Sequence, residues 1–189
     1  KVKYQKNLNN GVFQEPTLLI DLANTYTDLN THPYFKFSAL SVEDMNNDGM
    51  NDIIIGLQNQ IIIAKRLLNN TYQDSLIFVD NTTYNQPTTI EKIVVQDINN
   101  DGLKDIIVSS TGNKYARVHK QISLFEYDTL EISNDYSAYK LTSNFLMTDI
   151  DEDSETELLG VFINQFNQFA VGSIDFSNDN SNSDLTAVK

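Results

Sequence analysis

Asp44-Met45-Asn46-Asn47-Asp48-Gly49-Met50-Asn51-Asp52 places oxygen-bearing side chains at positions one, three, five and nine, with glycine at six. Alternate residues of a tight loop can point at one centre, and glycine takes the positive φ that such a turn needs. Hard oxygen donors, joined by a backbone carbonyl at position seven, suit Ca²⁺ rather than a thiophilic metal. The pattern returns as Asp97-Ile98-Asn99-Asn100-Asp101-Gly102-Leu103-Lys104-Asp105, and again, altered, as Asp149-Ile150-Asp151-Glu152-Asp153-Ser154-Glu155-Thr156-Glu157. From Asp44 to Asp97 is 53 residues and from Asp97 to Asp149 is 52, so the chain is built of repeats. One acidic loop alone reads equally well as a solvated turn; three in register point to metal.

These loops must be held by what flanks them, and the flanks are strands. Ile53-Ile54-Ile55, Ile106-Ile107-Val108 and Leu158-Leu159-Gly160-Val161-Phe162 leave the three loops as short apolar runs, the mark of buried strands. The alternating segment Phe37 to Val42 enters the first loop, Ile93 to Val95 the second and Asn144 to Met147 the third. Further strands are expected at Ile61 to Ile63, across Ile122 to Tyr127, and at Phe169 to Phe176. Residues 1–20 share their order with 61–79: strand, Asn-Asn turn, aromatic, Gln, acid, apolar strand. The chain is therefore expected to open in the middle of a repeat. Polar connections are expected at 21–36 and 81–89. Helical periodicity is absent, which gives an all-β chain of about four strands per repeat. An EF-hand is excluded because position twelve, its bidentate Glu, is here Ile55, Val108 and Gly160, and no helices flank the loops.

Composition narrows the function. A net charge of −13 argues against nucleic acid and against charge-driven adhesion to anionic lipid. No apolar run approaches the roughly 20 residues that span a bilayer, so no membrane insertion is expected. With no cysteine there is no disulfide and no thiolate site. His32 and His119 stand in no recognisable motif and read as surface or loop positions. No catalytic residues are assigned, and the chain is not expected to be an enzyme, although a catalytic domain elsewhere on a longer chain is compatible with it.

The run Asp-x-Asn-x-Asp-Gly-x-x-Asp-Ile-Ile, returning every fifty-odd residues between short strands, resembles the FG-GAP/VCBS-type repeat of calcium-binding, integrin-alpha-like β-propellers. The resemblance covers most of the chain, without the Phe-Gly and Gly-Ala-Pro signatures of integrin-like members. It implies a β-propeller of four-stranded blades, typically seven in all, of which about three to four are present. Residues 1–20 would end one blade, 37–80 and 90–132 form two more, 143–177 a partial one, and 178–189 a flexible end. The resemblance implies two to three structural Ca²⁺ ions. Their ligands would be Asp44, Asn46, Asp48, Met50 and Asp52; Asp97, Asn99, Asp101, Leu103 and Asp105; and Asp149, Asp151, Asp153, Glu155 and Glu157. Met50, Leu103 and Glu155 would contribute carbonyls. The expected role is a secreted or cell-surface scaffold for protein or carbohydrate binding or adhesion. The blades would be completed by more of a longer chain or by partner subunits. Two alternatives stay open: an accessory domain of a polysaccharide-degrading enzyme, and a structural or cargo subunit of a surface assembly.

Overall fold

The computed structural model describes residues 1–21, 38–57, 60–73, 77–80, 89–111, 116–132, 139–154, 156–164, 166–174 and 176. Most of the expected connections at 21–36 and 81–89, the end at 178–189, His32 and Glu155 lie outside them. The described residues form four antiparallel sheets and no helix. β1 (Val2–Tyr4) pairs with β2 (Thr17–Ile20). β3 (Ala39–Glu43), β4 (Asp52–Gly56), β5 (Ile61–Ala64) and β6 (Ile77–Asp80) form a four-stranded meander in chain order. β7 (Thr89–Gln96), β8 (Asp105–Thr111), β9 (Ala116–Ser123) and β10 (Glu126–Ile132) repeat it. β11 (Tyr139–Thr148), β12 (Glu157–Asn164) and β13 (Phe169–Ile174) form three strands of the same kind.

The unbroken isoleucine runs follow from how the sheets stack. Successive side chains of a strand point to opposite faces, so a strand covered on both sides has no place for alternating polar residues. Ile53 and Ile55 pack with Ile20 and Ile62 against the β1–β2 sheet, whereas Ile54, Ile61 and Ile63 pack with Ile90, Ile93, Ile106 and Val108 of the next sheet. Ile107 and Val118 then turn to the following sheet, where they meet Leu141, Phe145, Leu158, Phe162 and Ile174. Each middle sheet is thus a layer between two others. Within the last sheet Gly160 leaves room for the neighbouring strand, since a Cβ there would lie 2.6 Å from a Leu141 methyl. Lys92 spans the boundary between the last two sheets, donating to the Phe145 carbonyl with its ammonium 4.4 Å from the Phe145 ring centroid.

The likeness of residues 1–20 to 61–79 holds at the level of the backbone. Leu8 N donates to Val12 O and Leu67 N to Thr71 O, both at 2.8 Å; Gln14 N donates to Lys6 O and Gln73 N to Lys65 O, again both at 2.8 Å. The Asn-Asn pairs, Asn9-Asn10 and Asn69-Asn70, are offset by one residue against these flanks, and the offset falls inside the turn. Two expectations need correction. Residues 122–127 are not one strand: the chain reverses at Leu124-Phe125 between β9 and β10, with Phe125 at φ +62°. His119 is not a surface or loop residue; it is wholly buried on β9, opposite Ile106.

Candidate metal centre

Each loop joins the first two long strands of its sheet, and its own side chains wind it. The Asp44 carboxylate accepts from Asp48 N (3.1 Å) and Gly49 N (2.7 Å); Asp97 repeats this with Asp101 N (3.1 Å) and Gly102 N (2.8 Å). In the third loop Asp149 accepts from Glu152 N (2.7 Å) and Ser154 N (3.0 Å). Short acceptors folding back on nearby amides are what Asp and Asn do in turns. Two residues per loop take positive φ: position four, at Asn47 (57°), Asn100 (55°) and Glu152 (66°), and position six, at Gly49 (82°), Gly102 (86°) and Ser154 (75°). The third loop therefore keeps the backbone of the other two despite losing glycine.

Positions one, three and five converge. In the third loop, carboxylate oxygens of Asp149, Asp151 and Asp153 lie within 4.8 Å of one another, all on exposed residues. In the first two loops an amide replaces the middle carboxylate: Asn46 Nδ2 donates to Asp48 Oδ2 and Asn99 Nδ2 to Asp101 Oδ2, each at 2.9 Å. Met50 N and Leu103 N, on the two residues expected to lend carbonyls, donate to Asp48 and Asp101 at 2.9 and 2.8 Å. Glu155 lies outside the described residues. A crowd of oxygen donors with no sulfur or imidazole fits a hard cation such as Ca²⁺.

Position nine has a second duty that the sequence pattern does not reveal. Asp52 is wholly buried; its Oδ2 accepts from Met45 N (3.2 Å) and its Oδ1 from Arg66 N (2.7 Å), just past the end of β5. Asp105 is likewise buried, accepting from Ile98 N (3.1 Å) and Gln121 N (2.8 Å). Glu157 accepts from Ile150 N at 2.7 Å and stands outside the trio of Asp149, Asp151 and Asp153. Burial pushes the carboxyls of Asp52 and Asp105 above the usual range, and the other loop acids push the same way; the two amide bonds oppose them. These acids tie the loop to the second and third strands, while an oxygen that accepts one amide keeps a lone pair for an ion. The residue at position two completes the anchor: Met45 and Ile98 bury their side chains in the cores between sheets.

Residues 44–108, from the first Asp of the first loop into β8, match the family model of the FG-GAP-like repeat. Over that span, about a third of the chain, the protein is similar to an FG-GAP-like repeat. No curated protein matches the chain. The third loop lies beyond the matched span, yet its turns carry the same φ signs, the same bond from position six to position one and the same bond from position two to position nine. The position-four residues of the three loops are not singled out as functional by spacing. Their signal was an Asn in two loops out of three, the residue besides glycine that best tolerates a left-handed backbone.

Proposed function

We propose that the chain is a calcium-stabilised β-propeller segment of a secreted or cell-surface protein, presenting a surface for protein or carbohydrate binding rather than catalysing a reaction. The observation that carries this reading is the convergence of Asp149, Asp151 and Asp153 on a loop whose backbone repeats twice more along the chain. FG-GAP repeats occur in extracellular proteins, where calcium is abundant enough to fill loops of modest charge. The ions would be structural. Each would neutralise carboxylates that otherwise repel and would link binding to folding. At a calcium concentration ten times Kd, one site adds about 1.4 kcal/mol, so three add about 4 kcal/mol. For a chain of this size that is a rise in Tm of about 8–16 °C. Thermal unfolding in millimolar calcium and in EDTA, with bound calcium counted by atomic absorption, tests the reading. An equal Tm in both conditions and no bound ion would reduce the loops to acidic turns.

A further inference from the structure

The three loops touch one another at equivalent points. Position four of one loop donates its side-chain amide to the position-six carbonyl of the next: Asn47 Nδ2 to Gly102 O at 3.1 Å, and Asn100 Nδ2 to Ser154 O at 3.0 Å. A second contact recurs at the loop margins. Glu43, just before the first loop, places its carboxylate 3.9 Å from the ammonium of Lys104, position eight of the second. Gln96, just before the second loop, donates to Thr156 Oγ1, position eight of the third, at 3.0 Å. Both junctions thus follow one plan, although the paired residues differ.

The accepting carbonyl is itself tied to the ligand set. In the second loop it belongs to the peptide between Gly102 and Leu103, whose N–H donates to Asp101 Oδ1 at 2.8 Å. A peptide unit is planar, so its N–H and its carbonyl turn together. Fixing the Asp101 carboxylate therefore fixes the direction of the Gly102 carbonyl, and with it the fit of the Asn47 amide. Asn47 holds φ +57° between Asn46 and Asp48, both oxygen donors of the first loop. One rigid unit joins a position-five carboxylate to the backbone between positions three and five of the neighbouring loop.

We propose, resting on the calcium reading above, that the three loops take up calcium cooperatively, coupled through the side-chain amides of Asn47 and Asn100. A loop drawn into its convergent shape holds its neighbour in the same shape, so the neighbour has less freedom left to lose when it binds. The coupling is reciprocal: each loop tightens the other by the same factor. The second loop has a junction on each side and is the centre of the effect.

Calcium titrations by isothermal calorimetry compare the whole chain with Asn47→Gly, Asn100→Gly and the double variant. Glycine accepts the positive φ of position four, so the change removes only the amide. Neither asparagine is in the ligand set, and the number of ions bound should stay the same. The titrations are run at a temperature where circular dichroism in EDTA shows all four proteins folded, which keeps folding out of the reading. With about fivefold coupling at each junction, three like sites give a Hill coefficient of about 1.5; the double variant should fall to about 1, with the single variants between. Ions bound with equal steepness by the wild type and the double variant would overturn the coupling and leave the calcium reading standing. No bound ion would overturn both.

Discussion

The side-chain amide of Asn47 donates to the backbone carbonyl of Gly102 at 3.1 Å, and that of Asn100 to the carbonyl of Ser154 at 3.0 Å. Each bond crosses from one repeat to the next, 55 and 54 residues along the chain. It ties the outermost part of a loop to the outermost part of its neighbour, where no apolar core reaches. The series stops at Glu152, whose carboxylate has no hydrogen to donate. Loop geometry in this protein is therefore held between repeats as well as within them.

Asn100→Asp isolates that bond. Aspartate tolerates positive φ nearly as well as asparagine, so the backbone is left alone while a donor becomes a charged acceptor facing a carbonyl. The loss should be about 1–2 kcal/mol in urea unfolding, one hydrogen bond plus repulsion from the neighbouring acids. An unchanged midpoint would mean that the loops are not laced together.

Asp101 and Asp105 belong to one loop and should respond in opposite ways once calcium is removed. Asp105→Ala strands the buried amides of Ile98 and Gln121, at about 1–3 kcal/mol each. Asp101→Ala removes an exposed carboxylate from a crowd of like charges and should leave the EDTA-treated protein as stable or slightly more so. In calcium both should weaken ion binding. Equal losses in EDTA would refute the division between a ligand position and a tying position.

Acidification should act with opposite signs in the two states. The carboxyls of Asp52 and Asp105 are raised above 3.8 by burial first, so the folded, metal-free protein takes up protons more readily than the unfolded chain. Their contribution to stability is complete below pH 3.8 and is lost as pH rises through the folded values. Without calcium, lowering the pH from 7 toward 3.8 should therefore raise Tm, helped by relief of the −13 net charge. With calcium bound, protons compete with the ion and Tm should fall over the same range. Melting curves at both pH values, in EDTA and in calcium, read the two slopes directly.

Repetition made the loops and strands legible before any coordinates. Asp44, Asp97 and Asp149 recur at near-constant spacing, and each loop is followed by a short apolar run that reads as a buried strand. The reversal at Leu124-Phe125 was hidden because neither residue is a turn former; Phe125 accepts φ +62° because its ring packs beside the core between the sheets and under Lys65. His119 was hidden by company. Arg117, His119 and Gln121 alternate along β9 as solvent-facing residues do, yet all three are buried between sheets. The second duty of Asp52 and Asp105 left no trace, since a metal ligand and an acceptor for buried amides call for the same carboxylate.

Ser154 offers a test of how closely the third loop copies the other two. It holds φ +75° where Gly49 and Gly102 hold 82° and 86°. A side chain in that region costs about 1–2 kcal/mol, offset in part by the greater freedom glycine has when unfolded. Ser154→Gly should therefore stabilise the protein by about 0.5–1 kcal/mol, in EDTA as well as in calcium, because the gain lies in the backbone. The reverse change supplies the control. A Cβ at Gly102 would meet nothing within 4 Å, so Gly102→Ser brings no clash and should lose a similar amount through φ alone. Urea midpoints moving in opposite directions would show that all three loops demand one backbone; movement in the same direction would show that the third loop settles into a different shape.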